Sequence, residues 1–240
     1  MTTLPPLPKA WFFFGLDDLR ETDSTYEAFD YTKLPPLPTD KLNGSWQWLQ
    51  DEYANIEAVL DSPNLPEDWF ESLQTIQRQA QERNLILPQG FVTLMQHPEW
   101  LAAIPSPTDC FFELDHEGFI DLKDRPGESL VHFYSDSQYC LVWYLHFTIN
   151  GQCNIVCSSN WFFHTYYYDY EPIREAYRDE ASEIIDELQR GPHTFLFECE
   201  GSFEAFVYRV WMEGSIWFEM NLGHQSLTPA QQRYMDFYNP

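Results

Sequence analysis

Residues 139–157, YCLVWYLHFTINGQCNIVC, decide the architecture. From Tyr139 to Ile149 every odd position is apolar: Tyr139, Leu141, Trp143, Leu145, Phe147 and Ile149. The even positions Cys140, Val142, Tyr144, His146 and Thr148 are mixed. A period of two is the signature of a strand, and apolar residues on both sides place it centrally, covered on both faces. The following Asn150-Gly151 ordinarily marks a two-residue hairpin turn. Such a turn would set Phe147 opposite Asn154, apolar against polar. A three-residue turn over Ile149-Asn150-Gly151, with Gly151 left-handed, instead pairs Phe147 with Cys153, Leu145 with Ile155 and Trp143 with Cys157. A one-residue slip would carry the apolar side to the wrong face, so the three-residue turn is expected.

The alternation continues upstream. Cys110, Phe112 and Leu114 suggest a strand, the turn Asp115-His116-Glu117-Gly118 follows, and Ile120 and Leu122 resume. Val131 and Phe133 mark a third strand before the break at Ser135-Asp136-Ser137, and Phe195, Phe197 and Cys199 form a last one. Helical spacing flanks this block. Ser45 is placed to cap a helix to about Leu60, with Leu49, Tyr53, Ile56 and Leu60 on one face. A second helix after Pro66 buries Trp69, Leu73, Ile76 and Ala80 and ends near Asn84. Short helices are expected from Pro88, burying Phe91, Leu94 and Met95, and over Glu99–Ile104. A longer helix is expected from about Pro172 to Arg190. Another, from Ser202 to about Glu213, carries the stripe Phe203, Phe206, Val207, Val210 and Trp211. Thr228-Pro229-Ala230-Gln231 reads as a capping box for a final helix. The fold class is therefore α+β: residues 45–240 as one domain, with a mainly antiparallel meandering sheet packed by helices. Residues 1–44 read as an irregular Pro-rich extension in which Leu-Pro-Pro-Leu-Pro occurs twice, at 4–8 and 34–38. Both copies should be extended, lying across this protein's own aromatic surface or serving as ligands for a partner's groove.

The chain of 240 residues carries 13 Lys and Arg against 38 Asp and Glu, a net charge of −25. With 18% aromatic residues it has ample material for a core, unlike a disordered acidic tail. Residues 1–120 hold 6 Lys and Arg against 20 Asp and Glu, and residues 121–240 hold 7 against 18, so the acidity belongs to the folded surface. Duplex nucleic acid and anionic membranes are poor partners for such a surface, whereas a basic protein suits it. No stretch approaches the ~20 apolar residues of a membrane span. The start lacks the pattern of a signal peptide, and five cysteines, an odd number, read as reduced thiols; a cytoplasmic location is expected.

Motifs for chemistry are sparse. There is no phosphate-binding loop, dinucleotide fingerprint, nucleophile elbow or His-Glu-x-x-His, and no cofactor is expected. Cys153 and Cys157 point to one side of a strand but sit ~13 Å apart, too far to share a metal. His146 should face Asn154 across the hairpin as a hydrogen-bonded histidine. Asp115, His116, Glu117, Asp121 and Asp124 do not match calcium-loop spacing and read as a solvated hairpin tip. The tract 161–171 is less ordinary. A strand buries one side of such a run, leaving Trp161, Tyr166, Tyr167, Tyr168, Asp169, Tyr170 and Glu171 as candidate partner-binding residues, with aromatic packing on the proline segments as the plainer reading.

Leu87-Pro88-Gln89-Gly90-Phe91, the amphipathic Phe203-Glu204-Ala205-Phe206 and the stretch His132 to Tyr144 together resemble the SUKH superfamily over about residues 66–220. That superfamily includes fungal cell-wall-synthesis regulators and bacterial immunity proteins. The resemblance implies a non-enzymatic protein that neutralises a toxin by binding it, and it brings no catalytic residues. The function expected is binding of a basic toxin or other basic protein. The alternatives are a carboxylate-based hydrolase with an aromatic cleft and an assembly subunit docking through its Pro-rich N-terminal segment.

Overall fold

The computed structural model describes residues 5–12, 16, 27–56, 65–122, 125–158, 196–222 and 227–238. The described residues form eight strands: β1 (Ala10–Trp11), β2 (Phe29–Asp30), β3 (Phe111–Phe112), β4 (Phe119–Asp121), β5 (Ser129–Ser135), β6 (Val142–Phe147), β7 (Cys153–Ser158) and β8 (Leu196–Glu200). The helices are α1 (Gln47–Ile56), α2 (Trp69–Glu82), α3 (Gln89–Gln96), α4 (Phe203–Leu222) and α5 (Pro229–Asp236). The class is α+β. An antiparallel sheet runs β3-β5-β6-β7-β8, with β4 also paired to β5.

The central hairpin has the register that parity demands: Phe147 pairs with Cys153, Leu145 with Ile155 and Trp143 with Cys157. Gly151 has φ +74°, and its N–H donates to the Thr148 carbonyl. Every residue of β6 is buried, as a central strand requires. Its start lies further along than alternation suggests. The Asp136 carboxylate accepts the Leu141 and Gln138 N–H groups, so the chain turns until Leu141 and Tyr139 adopts φ +55°. A local side-chain hydrogen bond has displaced the strand ladder. The turn after β3 also differs from a simple hairpin, since β3 and β4 each pair with β5 at opposite ends of it.

One sheet face carries Phe133, Tyr134, Trp143, Leu145, Phe147 and Ile155 beneath α4. Phe206 of α4 meets Phe133 edge-on at 5.3 Å, and Phe203 meets Phe91 of α3 at 5.3 Å. Such pairs add about 0.5–1.5 kcal/mol each beyond their area. Helix α4 does not stop at Glu213. It continues through Gly214, where a Cβ would lie 2.2 Å from the Pro105 carbonyl oxygen, so this glycine marks a close approach of backbones. The other face carries the smaller cluster Ile120, Leu130, Val142, Tyr144, Val156 and Leu196, joined by Leu7.

Helix α1 begins at Gln47, two residues past the expected cap Ser45. Trp46 sits at φ +56°, which buries its indole and lets Nε1 donate to the Gly90 carbonyl. Helix α2 buries Trp69, Leu73, Ile76 and Ala80, and α5 has the full capping box between Thr228 and Gln231. Residues 57–60 and the expected helix 172–190 lie outside the described residues.

The described parts of 1–44 lie on the domain. Trp11 and Phe12 are buried in the main core, and the Pro8 carbonyl accepts the Glu198 N–H at the edge of β8. Both proline pentads are fastened in one way. Arg125 donates to the Pro5 carbonyl at 3.1 Å while held by Glu128, and Arg209 donates to the Pro35 carbonyl at 3.1 Å while held by Glu200. Proline has no N–H, so its carbonyl is the group left for docking.

Candidate functional site

The tract named from sequence, Trp161, Tyr166, Tyr167, Tyr168, Asp169, Tyr170 and Glu171, lies outside the described residues. Other candidates are placed. His146 stands opposite Asn154, buried, with Nε2 2.7 Å from Glu128 Oε2. Burial lowers its pKa, against the pull of Glu128. Cys153 and Cys157 lie at opposite ends of β7, and burial pushes the Cys153 thiol up to about 12, leaving a thiol and not a thiolate. No group of three or more His, Cys, Asp or Glu side chains among the described residues is arranged to hold a metal. At the tip between β3 and β4, Asp115 caps the Glu117 N–H and Asp121 pairs with Arg83.

Two kinds of carboxylate site emerge. In the closed kind, an internal arginine lies on the carboxylate. Glu200 accepts Arg209 Nε at 2.6 Å and the Tyr31 hydroxyl at 2.9 Å. The same guanidinium donates to the Tyr234 hydroxyl and lies 5.5 Å from the centre of the Trp11 ring. Tyr234 and the Trp11 indole donate to the two oxygens of Glu213. Burial would lower the Arg209 pKa, but Tyr234, Glu200 and Glu213 raise it, so the charge stays.

The open kind is at Glu113, just past β3. A bulge in β5 between His132 and Tyr134 shifts parity, so His132 and Ser135 face the same side although three residues apart. His132 Nε2 lies 2.7 Å from Ser135 Oγ and 3.2 Å from Glu113 Oε1. A hydrolytic relay needs serine and acid on different ring nitrogens, and here both address Nε2, so the trio is not arranged as one. The Tyr139 hydroxyl donates to Glu113 Oε2 at 3.1 Å. The Tyr139 ring, 40% exposed, stands at 89° to the 37% exposed Phe111 ring, centroids 6.0 Å apart. Burial pushes the Glu113 carboxyl above its ordinary pKa, partly offset by the Ser135 and Tyr139 hydroxyls. Burial and the Glu113 charge push Tyr139 up to about 12. Glu113 Oε1 is buried beside His132 Nε2, and no Lys or Arg among the described residues pairs with this carboxylate.

A cleft of about 330 Å³ opens between the 35–38 segment, Tyr208, Met212, Tyr234 and Phe237. Arg233 is its charged lining residue, and no carboxylate lines it.

The fold and the described sites define a class, an acidic α+β protein in which Arg125 and Arg209 pair with buried glutamates while the Glu113 corner has no Lys or Arg partner among the described residues. No family model, no curated protein and no solved structure matches the chain. No helix among the described residues is long and apolar enough to cross a membrane.

Proposed function

We propose that this protein is a non-enzymatic binding domain that captures a basic protein, in the manner of an immunity-type inhibitor of a basic toxin. One observation carries the reading: among the described residues most Lys and Arg side chains pair with a carboxylate of this chain, while many carboxylates face outward. Lys9, Lys41, Arg78, Arg83, Arg125 and Arg209 each face a carboxylate of the same chain. Asp51, Glu52, Asp68, Glu71 and Asp109 are exposed, and none pairs with a Lys or Arg among the described residues. A surface of one sign speeds encounter with an oppositely charged partner and rejects like-charged ones. The resemblance to the SUKH superfamily supports the same reading. The serine, histidine and acid trio does not favour hydrolysis, for the reason of ring geometry given above. The proline segments, whose carbonyls are bound by Arg125 and Arg209, favour internal packing over docking to a partner.

The test is capture at low salt from native lysate, followed by stopped-flow association of the purified co-eluting protein. The expected partner is basic, binds stoichiometrically, and associates at least ~10-fold more slowly at high than at low ionic strength. An acidic partner, or an association rate indifferent to salt, contradicts the proposal.

A further inference from the structure

The two glutamate–tyrosine sites differ by one component. At Glu200 a tyrosine hydroxyl takes one carboxylate oxygen, an arginine takes the other, and the guanidinium also lies over an aromatic ring. At Glu113 the tyrosine hydroxyl, the carboxylate and the aromatic faces are all present, and the rings of Phe111 and Tyr139 make a right-angled corner beside them. The cation is the component that Glu113 does not draw from the described Lys and Arg. The basic side chain at Glu113 is His132, whose Nε2 lies 3.2 Å from Glu113 Oε1 and 2.7 Å from Ser135 Oγ; as an imidazole it is no permanent cation of the guanidinium kind. Asp115 lies close enough to raise the Glu113 pKa further and so adds to the local negative potential.

We propose that the corner formed by Phe111, Tyr139 and Glu113 receives an arginine side chain of the basic partner. The inference rests on the binding function proposed above and gives it a locus. Arginine suits the corner better than lysine. Its planar guanidinium stacks on an aromatic face while an N–H joins the Tyr139 hydroxyl at Glu113 Oε2, since Oε1 is buried, whereas an ammonium is a hydrated point charge. The backbone holds the ring outward at some conformational cost, since Tyr139 and the nearby Asp109 both have left-handed φ, +55° and +54°.

The probe is the tripeptide N-acetyl-Gly-Arg-Gly-amide, titrated into the full chain while the aromatic ring signals are followed by NMR. Saturable shifts concentrated on Phe111 and Tyr139 are expected, with the lysine tripeptide weaker by roughly threefold or more. Glu113→Gln should weaken arginine binding at least ~5-fold, on the scale of a charge-assisted hydrogen bond. The charge-matched Glu67→Gln, on the exposed surface, should change it less than twofold. Tyr139→Gly provides a second variant that removes the ring while favouring the local backbone. It too should lose binding, with the remaining amide spectrum unchanged. Equal loss in Glu113→Gln and Glu67→Gln, shifts scattered over the acidic surface, or equal binding of the lysine tripeptide would each overturn the corner as an arginine site. Salt-dependent capture of a basic partner that survives Glu113→Gln unchanged would also overturn it, while leaving the broader binding function standing. Failure of the capture itself removes the function on which the inference rests.

Discussion

Glu200 and Glu113 each accept a tyrosine hydroxyl beside aromatic rings, yet they do different work. Glu200 is 4% exposed and carries an internal guanidinium that reaches on to the Pro35 carbonyl, so its site ties α4, β8 and the N-terminal segment together. Glu113 lies at the sheet edge, partly exposed, and in place of a guanidinium it has the His132 ring, whose Nε2 lies 3.2 Å from Glu113 Oε1 and 2.7 Å from Ser135 Oγ. The same chemistry is closed where it serves the fold and open where it faces solvent. A buried ion pair is poor evidence of net stabilisation, but removing one partner is costly because the other charge is left behind.

The largest expected effect comes from breaking the closed site. Arg209→Ala leaves Glu200 and Glu213 buried without their cation and should cost about 3–5 kcal/mol in chemical denaturation, or prevent folding. A loss below about 1 kcal/mol would mean that the network is not a structural tie. Tyr31→Phe removes a single hydroxyl from Glu200 and should cost about 1.5–3 kcal/mol, the worth of one hydrogen bond to a charged group.

Acid titration separates the two kinds of site by sign. Burial alone would raise the pKa of Glu128, but Arg125 and His146 hold it below the ordinary value of 4.5. Its contribution to stability is therefore present above 4.5 and is lost as pH falls through the lower folded pKa. Glu113 runs the other way, because burial raises its pKa above 4.5. Its favourable contribution is present below 4.5 and is lost as pH rises through the folded value. Glu113→Gln should accordingly melt at or above the wild type at pH 7, with the two curves converging in acid. A variant that is less stable at pH 7 would show that the carboxylate is already compensated within the fold.

Tyr139→Gly should have the smallest effect on stability. The gain from a left-handed glycine, on the order of 1 kcal/mol, opposes the lost edge-on contact with Phe111, of about 0.5–1.5 kcal/mol. A net change within about 1 kcal/mol is expected by thermal melting. A larger loss would move Tyr139 from recognition to structure.

Much of the fold was legible because local patterns carried it. The parity of Phe147, Cys153, Leu145 and Ile155 selected the hairpin register, and Thr228 with Gln231 marked a helix start. What escaped depended on contacts distant in sequence. The helix expected to end near Glu213 runs on through Gly214, whose close backbone approach is visible once Pro105 is packed against α4. The Glu113 corner escaped because a bulge places Ser135 beside His132, and because Asp136 holds Tyr139 out of the strand. A bulge leaves no compositional trace here, although the Ser-Asp-Ser break at 135–137 was the available signal.

The most direct measurement is the carboxyl titration of Glu113, followed by carbon NMR with and without saturating N-acetyl-Gly-Arg-Gly-amide. A guanidinium seated on the carboxylate favours its charged form, so the raised pKa should fall when the arginine peptide is present and stay unchanged with the glycine tripeptide. A Glu113 pKa that is the same with both peptides would contradict the account.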